Sequence, residues 1–305
     1  MNIAITGSSG FIGSHIKEMI QDMGINILTI SDKFNSTHAK NNFSYDYFFS
    51  GKIDVDIDCI IHLASPNYDY AKDDSLKNGI TTLTKKILCA MPQYNCKKII
   101  FFSSAKVYGE PSFKQNIFYE NSKLNPISDY GKEKVNAENA ILSFSSQNNI
   151  DFIIYRMPMV YGPGMSSNIG KLFKLINKKY PLISFSNTNH LKKSFLSIDN
   201  IKILIRYNIQ NPATINKAIF NIADGENLSL NEFIKLYIKT SKLKVILISL
   251  PKIFFVILCK MPFIKKLLTK LYGSFTLDIK KINEAYNIEL KNTEECLSNI
   301  LIKQL

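Results

Sequence analysis

The start of the chain constrains the fold more than any other stretch. An apolar run over residues 2–6 predicts a β-strand, and a helical pattern begins shortly after it. Glycines at positions 7, 10 and 13 let the backbone turn tightly between the two and approach a pyrophosphate, which binds where the free N–H groups of a helix N-terminus point at it. The sequence therefore predicts a dinucleotide site at Gly7, Gly10, Phe11, Ile12 and Gly13.

The end of the second predicted strand, residues 25–30, bears on which dinucleotide binds. An acidic residue at this position usually binds the adenosine ribose hydroxyls of NAD. This chain has Ser31 there, followed by Asp32 and Lys33. Asp32 can bind the ribose one residue late, or Ser31 and Lys33 can accept a 2′-phosphate, so NAD and NADP both stay open.

Two further apolar runs predict central strands of the same sheet. Residues 58–65 form one of them, and its end lets the backbone pass close to a flat cofactor ring at Leu63, Ala64 and Ser65. Residues 98–102 form the other, and Ser104 follows it. Between these runs, residues 73–91 have a helical pattern.

Tyr130 and Lys134 are four residues apart in a helical segment and therefore share one face of the helix. A nearby ammonium favours the phenolate, so we expect Lys134 to lower the pKa of Tyr130 from its usual value near 10. By itself, such a pair in a lysine-rich chain is more often a solvated helix face. Ser104 changes this interpretation, because strand ends in such a sheet face the ligand, and its hydroxyl can bind the substrate oxygen that exchanges a proton with Tyr130.

The basic character of the chain comes almost entirely from lysine. The formal net charge is +13, yet only Arg156 and Arg206 are arginines. We interpret this mainly as a compositional bias, with attraction to nucleotide diphosphates or an acidic membrane face as the sharper alternative. No basic block is present, so we expect no nucleic-acid partner. Five scattered cysteines and four distant histidines predict no metal site and suit a reducing cytoplasm.

These motifs together resemble the extended short-chain dehydrogenase/reductase family, the NAD-dependent epimerases and dehydratases of nucleotide sugars. The resemblance covers essentially the whole chain, and it rests on Gly7, Gly10, Gly13, residues 62–64, Asn78, residues 103–109, Tyr130, Lys134, and residues 156–164, 194–200 and 220–225. Residues 157–164 and 272–278 are most similar to a subgroup that builds bacterial O-antigen or capsule sugars. Its members are UDP-sugar 4-epimerases or reductases of 4-keto UDP-N-acetylhexosamines.

The resemblance implies an α/β fold with a Rossmann-type doubly wound parallel sheet and a smaller α/β C-terminal substrate lobe. Residues 1–164 are expected to form the NAD(P)-binding domain, completed by a strand near residues 190–222. Residues 165–305 are expected to form mainly the substrate-binding lobe. A homodimer is also expected from the resemblance alone.

The family further implies the role of each site residue. Tyr130 is the acid/base, Lys134 holds the nicotinamide ribose, and Ser104 orients the sugar oxygen while hydride passes between C4 and the nicotinamide. Asn78 and Pro158 join the expected cofactor contacts, and Met159 joins the expected substrate contacts. The substrate is expected to be a UDP-sugar.

Two departures from the family pattern concern the substrate. Met159 stands where many epimerases carry an asparagine that touches the substrate, so the sugar-nucleotide contacts of those epimerases do not carry over to this chain. Ala105 and Lys106 follow Ser104 where the 4,6-dehydratases carry an Asp-Glu pair. Without that acid/base pair, elimination of water is disfavoured.

Two regions in the second half of the chain bear on substrate binding and membrane contact. Lys192 and Lys193 precede a predicted strand and are candidates for the substrate diphosphate, although a solvated turn explains them equally well. Residues 243–272 are the most apolar region, but prolines and lysines interrupt them, so we expect no transmembrane helix. They form either substrate-domain helices or a basic, apolar surface resting on the inner membrane.

Three functions compete at this point. A 4-ketoreductase consumes NAD(P)H in one hydride transfer, whereas a 4-epimerase retains NAD and returns the hydride to the other face of the sugar. Ser31, in place of the ribose-binding acid, favours the reductase. A non-catalytic NADP-sensing or scaffold protein is the third possibility, and the presence of Ser104, Tyr130 and Lys134 argues against it.

Overall fold

The computed structural model describes residues 1–31, 41–65, 79–165 and 167–302. The chain divides into two compact units that alternate along the sequence. The first unit comprises Met1–Gly109, Lys123–Arg156 and Lys202–Phe220; the second comprises Glu110–Ser122, Met157–Ile201 and Asn221–Leu305. The sequence predicts residues 1–164, completed by a strand near residues 190–222, for the first domain, and this division stays a prediction.

The described residues form fourteen strands and eleven α-helices. The strands are β1 (Asn2–Thr6), β2 (Asn26–Ile30), β3 (Asn42–Phe43), β4 (Cys59–His62), β5 (Lys98–Ser104), β6 (Ile117–Phe118), β7 (Asp151–Met157), β8 (Met159–Tyr161), β9 (Leu182–Phe185), β10 (Lys193–Ser197), β11 (Ala218–Asn221), β12 (Asn227–Leu228), β13 (Leu247–Leu250) and β14 (Thr276–Leu277). The helices are α1 (Phe11–Asp22), α2 (Tyr45–Phe49), α3 (Gly79–Ala90), α4 (Asp129–Asn148), α5 (Asn168–Asn177), α6 (Ile198–Gln210), α7 (Leu230–Ser241), α8 (Lys252–Cys259), α9 (Pro262–Tyr272), α10 (Lys280–Tyr286) and α11 (Thr293–Ile302).

A seven-stranded sheet forms the centre of the first unit. Its order is β11-β7-β5-β4-β1-β2-β3, and the pairs from β3 across to β5 are parallel. The inner strands are apolar at almost every position, because parallel strands covered by helices on both faces bury both sets of side chains. All four residues of β4 are buried. The expected Rossmann-type α/β fold is confirmed.

Helix α4 is the longest helix of the first unit, with twenty residues. Ser128 caps its N-terminus by accepting a hydrogen bond from the amide of Gly131 at 3.3 Å. Glu133 extends from α4 to α3, where its carboxylate accepts a hydrogen bond from the amide of Thr81 at 3.0 Å. The predicted helix over 73–91 corresponds to α3, and its first residues lie outside the described ranges.

The second unit contains three small sheets, β12-β10-β8, β13-β9 and β14-β6. Asp224 is the polar centre of this unit. Its carboxylate accepts hydrogen bonds from the Tyr161 hydroxyl at 2.6 Å, the Ser197 amide at 2.9 Å and the Asn200 side chain at 2.7 Å. Burial raises the pKa of Asp224 to about 6. The buried Asp224 carboxylate therefore connects three of the sequence motifs, residues 156–164, 194–200 and 220–225.

Within the described ranges, every helix is too short or too polar to cross a membrane.

His62, at the end of β4, is a buried neutral histidine of the first unit. Its Nε2 lies 3.0 Å from the Thr84 hydroxyl, whose proton is donated to the Ile80 carbonyl, so Nε2 carries the ring proton. Nδ1 then accepts from the Thr6 hydroxyl at 2.7 Å. Burial, with the Lys134 charge as a smaller contribution, lowers the pKa of His62 to about 3.

We predict that this histidine makes folding sensitive to acid. The unfolded chain binds a proton at His62 below about pH 6.5, whereas the folded chain does not until about pH 3, so stability is lost as the pH falls through this window. Between neutral pH and about pH 5, His62 alone should lower the free energy of unfolding by about 2 kcal/mol. Urea titrations at both pH values measure this loss. The variant His62→Gln should show a loss smaller by that amount; an equal loss in both proteins would contradict the assignment.

Candidate active site

The turn between β1 and α1 is shaped by glycine. Gly7 has φ +72°, and a Cβ placed on it would lie 2.7 Å from the amide nitrogen of Ala64. A Cβ on Gly13 would lie 2.2 Å from the Gly7 carbonyl. Helix α1 begins at Phe11 without a side-chain cap at Gly10, so its first amides face outward for a ligand. These residues fit the pyrophosphate of a dinucleotide.

The neighbouring strand ends bring other predicted cofactor residues to the same edge of the sheet. The hydroxyl of Thr6 accepts a hydrogen bond from the amide of Ala64 at 3.3 Å, which fixes the segment that includes Leu63 and Ser65 beside the glycine turn. Ser31 follows β2, is buried, and donates its amide to the Phe43 carbonyl at 3.0 Å. The predicted contacts Asp32, Lys33 and Asn78 lie outside the described residues.

Ser104 and Tyr130 meet in the first unit. Ser104 is the last residue of β5, and Tyr130 lies in the first turn of α4. Their hydroxyls are hydrogen-bonded, and the hydroxyl of Ser65 forms a second hydrogen bond to the phenol. Ser65 was expected only as a cofactor contact, so its bond to Tyr130 is a feature that the sequence did not reveal.

Lys134 lies one helical turn beyond Tyr130 and is buried. Its ammonium donates a hydrogen bond to the Phe102 carbonyl at 2.7 Å and lies 5.7 Å from the centroid of the Tyr130 ring. The ammonium of Lys106 approaches the same ring, at 5.9 Å from its centroid. The tyrosine ring therefore has a lysine near it from α4 and another from the turn after β5.

The pKa values of Tyr130 and Lys134 differ from those that their four-residue spacing predicts. Burial raises the pKa of Tyr130, even though the hydrogen bonds from Ser104 and Ser65 act in the opposite direction. Burial also lowers the pKa of Lys134 to about 7, against the opposing charge of Glu138. The expected lowering of the phenol pKa by Lys134 is therefore wrong for this structure, because desolvation of the phenolate is the larger effect. Tyr130 is protonated at neutral pH.

Helix α4 also contributes one partner of a buried ion pair, Glu138. Glu138, one turn after Lys134, binds Arg156 of β7 with an Oε2–Nη2 distance of 2.7 Å. The other oxygen of Glu138 accepts from the Ser103 hydroxyl at 2.5 Å, and Arg156 donates to the Tyr108 hydroxyl at 2.9 Å. This network joins α4 to β5 and β7. Its residues lie within or beside recognised motifs, but only the fold shows that they contact one another.

Gly131 sets the distance between α4 and the end of β5. A Cβ on Gly131 would lie 2.7 Å from the carbonyl oxygen of Lys106, closer than real side-chain contacts allow. The missing side chain lets the first turn of α4 approach the turn over Ala105–Val107. Tyr130 is thereby held within hydrogen-bonding distance of Ser104.

The remaining predicted residues belong to the second unit. Pro158 and Met159 follow β7, and Met159 is partly exposed. The Lys192 ammonium contacts the Glu232 carboxylate at 2.5 Å. Lys193 is buried and donates to the Lys270 carbonyl at 2.6 Å. Both ammonium groups thus have partners within the protein, which argues against Lys193 in particular as a diphosphate ligand; the assignment of the pair stays a prediction.

We predict that Gly131→Ala separates Tyr130 from Ser104. The added methyl group must push α4 away from the Lys106 carbonyl, which should lower the free energy of unfolding by about 1–3 kcal/mol. A displacement of this kind should also reduce turnover about 100-fold. Chemical denaturation and initial rates measure the two effects.

Gly225→Ala is the matched control for stability, because a Cβ at that position meets no heavy atom within 4 Å. Its free energy of unfolding should stay within about 0.5 kcal/mol of the parent value. If both alanine variants were equally stable, the close approach at Gly131 would not hold α4 in place.

Comparison with known proteins identifies the family of the chain. A family model described as "NAD dependent epimerase/dehydratase family" matches residues 3–223. A UDP-glucose 4-epimerase of Vibrio cholerae is 27% identical over 250 residues, covering 77% of this chain and 74% of its own. An Escherichia coli O157:H7 protein, N-acetyl-alpha-D-glucosaminyl-diphospho-ditrans,octacis-undecaprenol 4-epimerase, is 26% identical over 246 residues, covering 76% of this chain and 70% of its own.

The fold is also shared with solved structures. The crystal structure of UDP-N-acetylglucosamine 4-epimerase from Bacillus cereus superposes with a TM-score of 0.79 at 19% identity and covers 99% of both chains. The matched range, residues 3–223, spans the glycine turn, the end of β5 and the first turns of α4. The chain therefore belongs to the NAD dependent epimerase/dehydratase family and is an NAD-dependent enzyme.

Proposed function

We propose that the protein acts at C4 of a UDP-hexose or UDP-N-acetylhexosamine and interconverts its C4 epimers in surface polysaccharide biosynthesis. The observation that carries the proposal is the hydrogen bond between Ser104 and Tyr130, with Lys134 on the same helix face. The names of the relatives support the epimerase outcome. The homodimer and the UDP-sugar contacts stay predictions from the family resemblance, and a cytoplasmic location stays a prediction from the scattered cysteines.

Tyr130 acts as the proton donor and acceptor at the C4 oxygen. Its phenol is protonated at neutral pH because burial raises its pKa, so it is ready to donate a proton to a carbonyl oxygen at C4 as that oxygen becomes a hydroxyl. The opposite direction starts from the phenolate, which accepts the hydroxyl proton and is favoured by the nearby Lys134 ammonium. Ser104 holds the same oxygen through its own hydroxyl, which keeps the oxygen within reach of the phenol.

Lys134 supports this proton transfer. With a pKa of about 7, Lys134 is only partly protonated at neutral pH. A change that increases its protonated fraction also favours the phenolate of Tyr130, because the ammonium attracts the negative phenolate. The turn at Gly7, Gly10 and Gly13 and the first amides of α1 would hold the dinucleotide. The chemistry that NAD supplies when bound is acceptance and return of hydride at C4.

A 4-ketoreductase is the second candidate, favoured by Ser31 at the position of the ribose-binding acid. The two outcomes differ in their use of cofactor. An epimerase turns over without added nicotinamide and keeps its dinucleotide during purification, whereas a reductase consumes NADH or NADPH stoichiometrically. Incubation with UDP-glucose, UDP-N-acetylglucosamine, their 4-keto forms and polyprenyl-diphosphate-linked N-acetylglucosamine, followed by mass and absorbance, distinguishes them.

We predict that Tyr130→Phe abolishes turnover while dinucleotide binding persists. The change removes only the hydroxyl, so the rate should fall by about 10²–10⁴-fold. Tyr119→Phe is the matched control, because Tyr119 is half exposed and lies on a loop of the second unit. Rates by chromatography of the sugar products and binding by calorimetry measure the two properties. Full activity of Tyr130→Phe would exclude the proposed mechanism.

A further inference from the structure

Helix α8 in the second unit exposes most of its apolar side chains. All of its residues except Lys252 are apolar, yet among them only Phe255 is buried. Phe255 packs with Phe185, Leu268 and Tyr272. A helix that is apolar on all sides is normally covered on all sides or lies against a membrane. Its outward side chains are between 41% and 59% exposed: Ile253, Phe254, Val256 and Ile257.

The apolar surface continues into α9. Met261 and Leu267 are each more than half exposed, and Phe263 is 84% exposed. Scattered single exposures of this kind are ordinary, but contiguous ones mark an interaction surface. We call the outward side chains of residues 251–267 the α8–α9 surface.

The charged residues of this segment all have one sign. Residues 251–272 contain five lysines and no acidic residue, and the acid-free stretch extends from residue 233 to residue 277. The five side chains are exposed: Lys252, Lys260, Lys265, Lys266 and Lys270. In the part of the chain that the structure describes, none of the five takes part in an ion pair.

We propose that the α8–α9 surface docks on an anionic lipid bilayer. Aromatic and aliphatic side chains enter the boundary between headgroups and acyl chains, and lysines contact lipid phosphates, as in helices that lie in a membrane interface. A cluster of this size and charge is the pattern that binds acidic lipids. This goes beyond the proposed function, because it concerns where the enzyme acts and not what its active site does.

A second copy of the chain fits this surface less well. A two-fold symmetric contact places the same patch on both sides of the interface. Five unpaired lysines would then face five others with no acidic residue between them, and like charges brought together in this way oppose association. Anionic lipid supplies the missing negative charge.

A single tryptophan can report the docking, because the chain has none. Phe254→Trp places it on the α8–α9 surface, and Tyr119→Trp is the matched control, since both parent side chains are 49% exposed. With vesicles of equimolar phosphatidylcholine and phosphatidylglycerol, emission of Phe254→Trp should shift to shorter wavelength. Tyr119→Trp should not shift, and vesicles of phosphatidylcholine alone should shift neither.

The charge requirement is tested in the Phe254→Trp background. Lys265→Glu/Lys266→Glu should weaken partitioning into the acidic vesicles at least about 30-fold, because each surface lysine contributes about a fivefold increase and each glutamate adds repulsion. Lys171→Glu/Lys174→Glu, two exposed positions on α5, makes the same change in net charge and should weaken partitioning by less than about threefold. Thermal unfolding of each variant verifies that it is folded.

Two outcomes would overturn the proposal. One is failure of the parent chain to float with acidic vesicles, or equal flotation with neutral ones. The other is a shift in Phe254→Trp emission that follows protein concentration without lipid, which would assign the surface to a second copy. Turnover of soluble UDP-sugars is measured separately and does not depend on either result.

Discussion

The buried pair of Glu138 and Arg156 is the interaction on which the geometry of the first unit depends. The Glu138 carboxylate is bound by Arg156 on β7 and by Ser103 on β5, while Glu138 itself lies on α4. Two opposite charges removed from water are stable only with close geometry and satisfied hydrogen bonds, and removal of one partner leaves the other charge buried without compensation. The pair therefore fixes the position of α4 against the sheet, and both Tyr130 and Lys134 belong to that helix.

The same arrangement explains the electrostatics of the candidate site. Seating α4 against the sheet buries the Lys134 ammonium and the Tyr130 phenol together, and burial opposes the charged form of each. The charge of Glu138 partly compensates Lys134, which keeps its pKa near neutrality instead of lower. The structure thus prepares a protonated phenol beside a lysine that is close to its titration point, a state that suits proton exchange at neutral pH.

Much of the first unit could be predicted from the sequence, because its signals are local. An apolar run, a glycine turn and a helical pattern identify β1 and α1, and four-residue spacing places Tyr130 and Lys134 on one face. The sequence predicts a strand over 98–102, but β5 continues to Ser104. Ser103 is a polar residue that suggests a strand end, and it is buried because its hydroxyl donates to Glu138, 35 residues further along the chain. In the second unit, the helical spacing of apolar residues over 168–180 extends beyond Asn177, where α5 ends because Lys179 takes a positive φ. The close approach of Gly131 to the Lys106 carbonyl could not be predicted from the sequence, because that carbonyl belongs to another element.

The alternation of the two units along the chain has a consequence for synthesis on the ribosome. Strand β11 lies at one edge of the central sheet beside β7, but it is encoded after two of the three segments of the second unit. The nascent first unit therefore cannot complete its sheet until about residue 221 has emerged, and β7 has an unpaired edge until then. Truncation at Gly164, where the sequence suggests a boundary, would leave that edge permanently open. The chain is thus built to fold after most of its length is translated, and a chaperone that shields the edge in the interval would have a defined strand to protect.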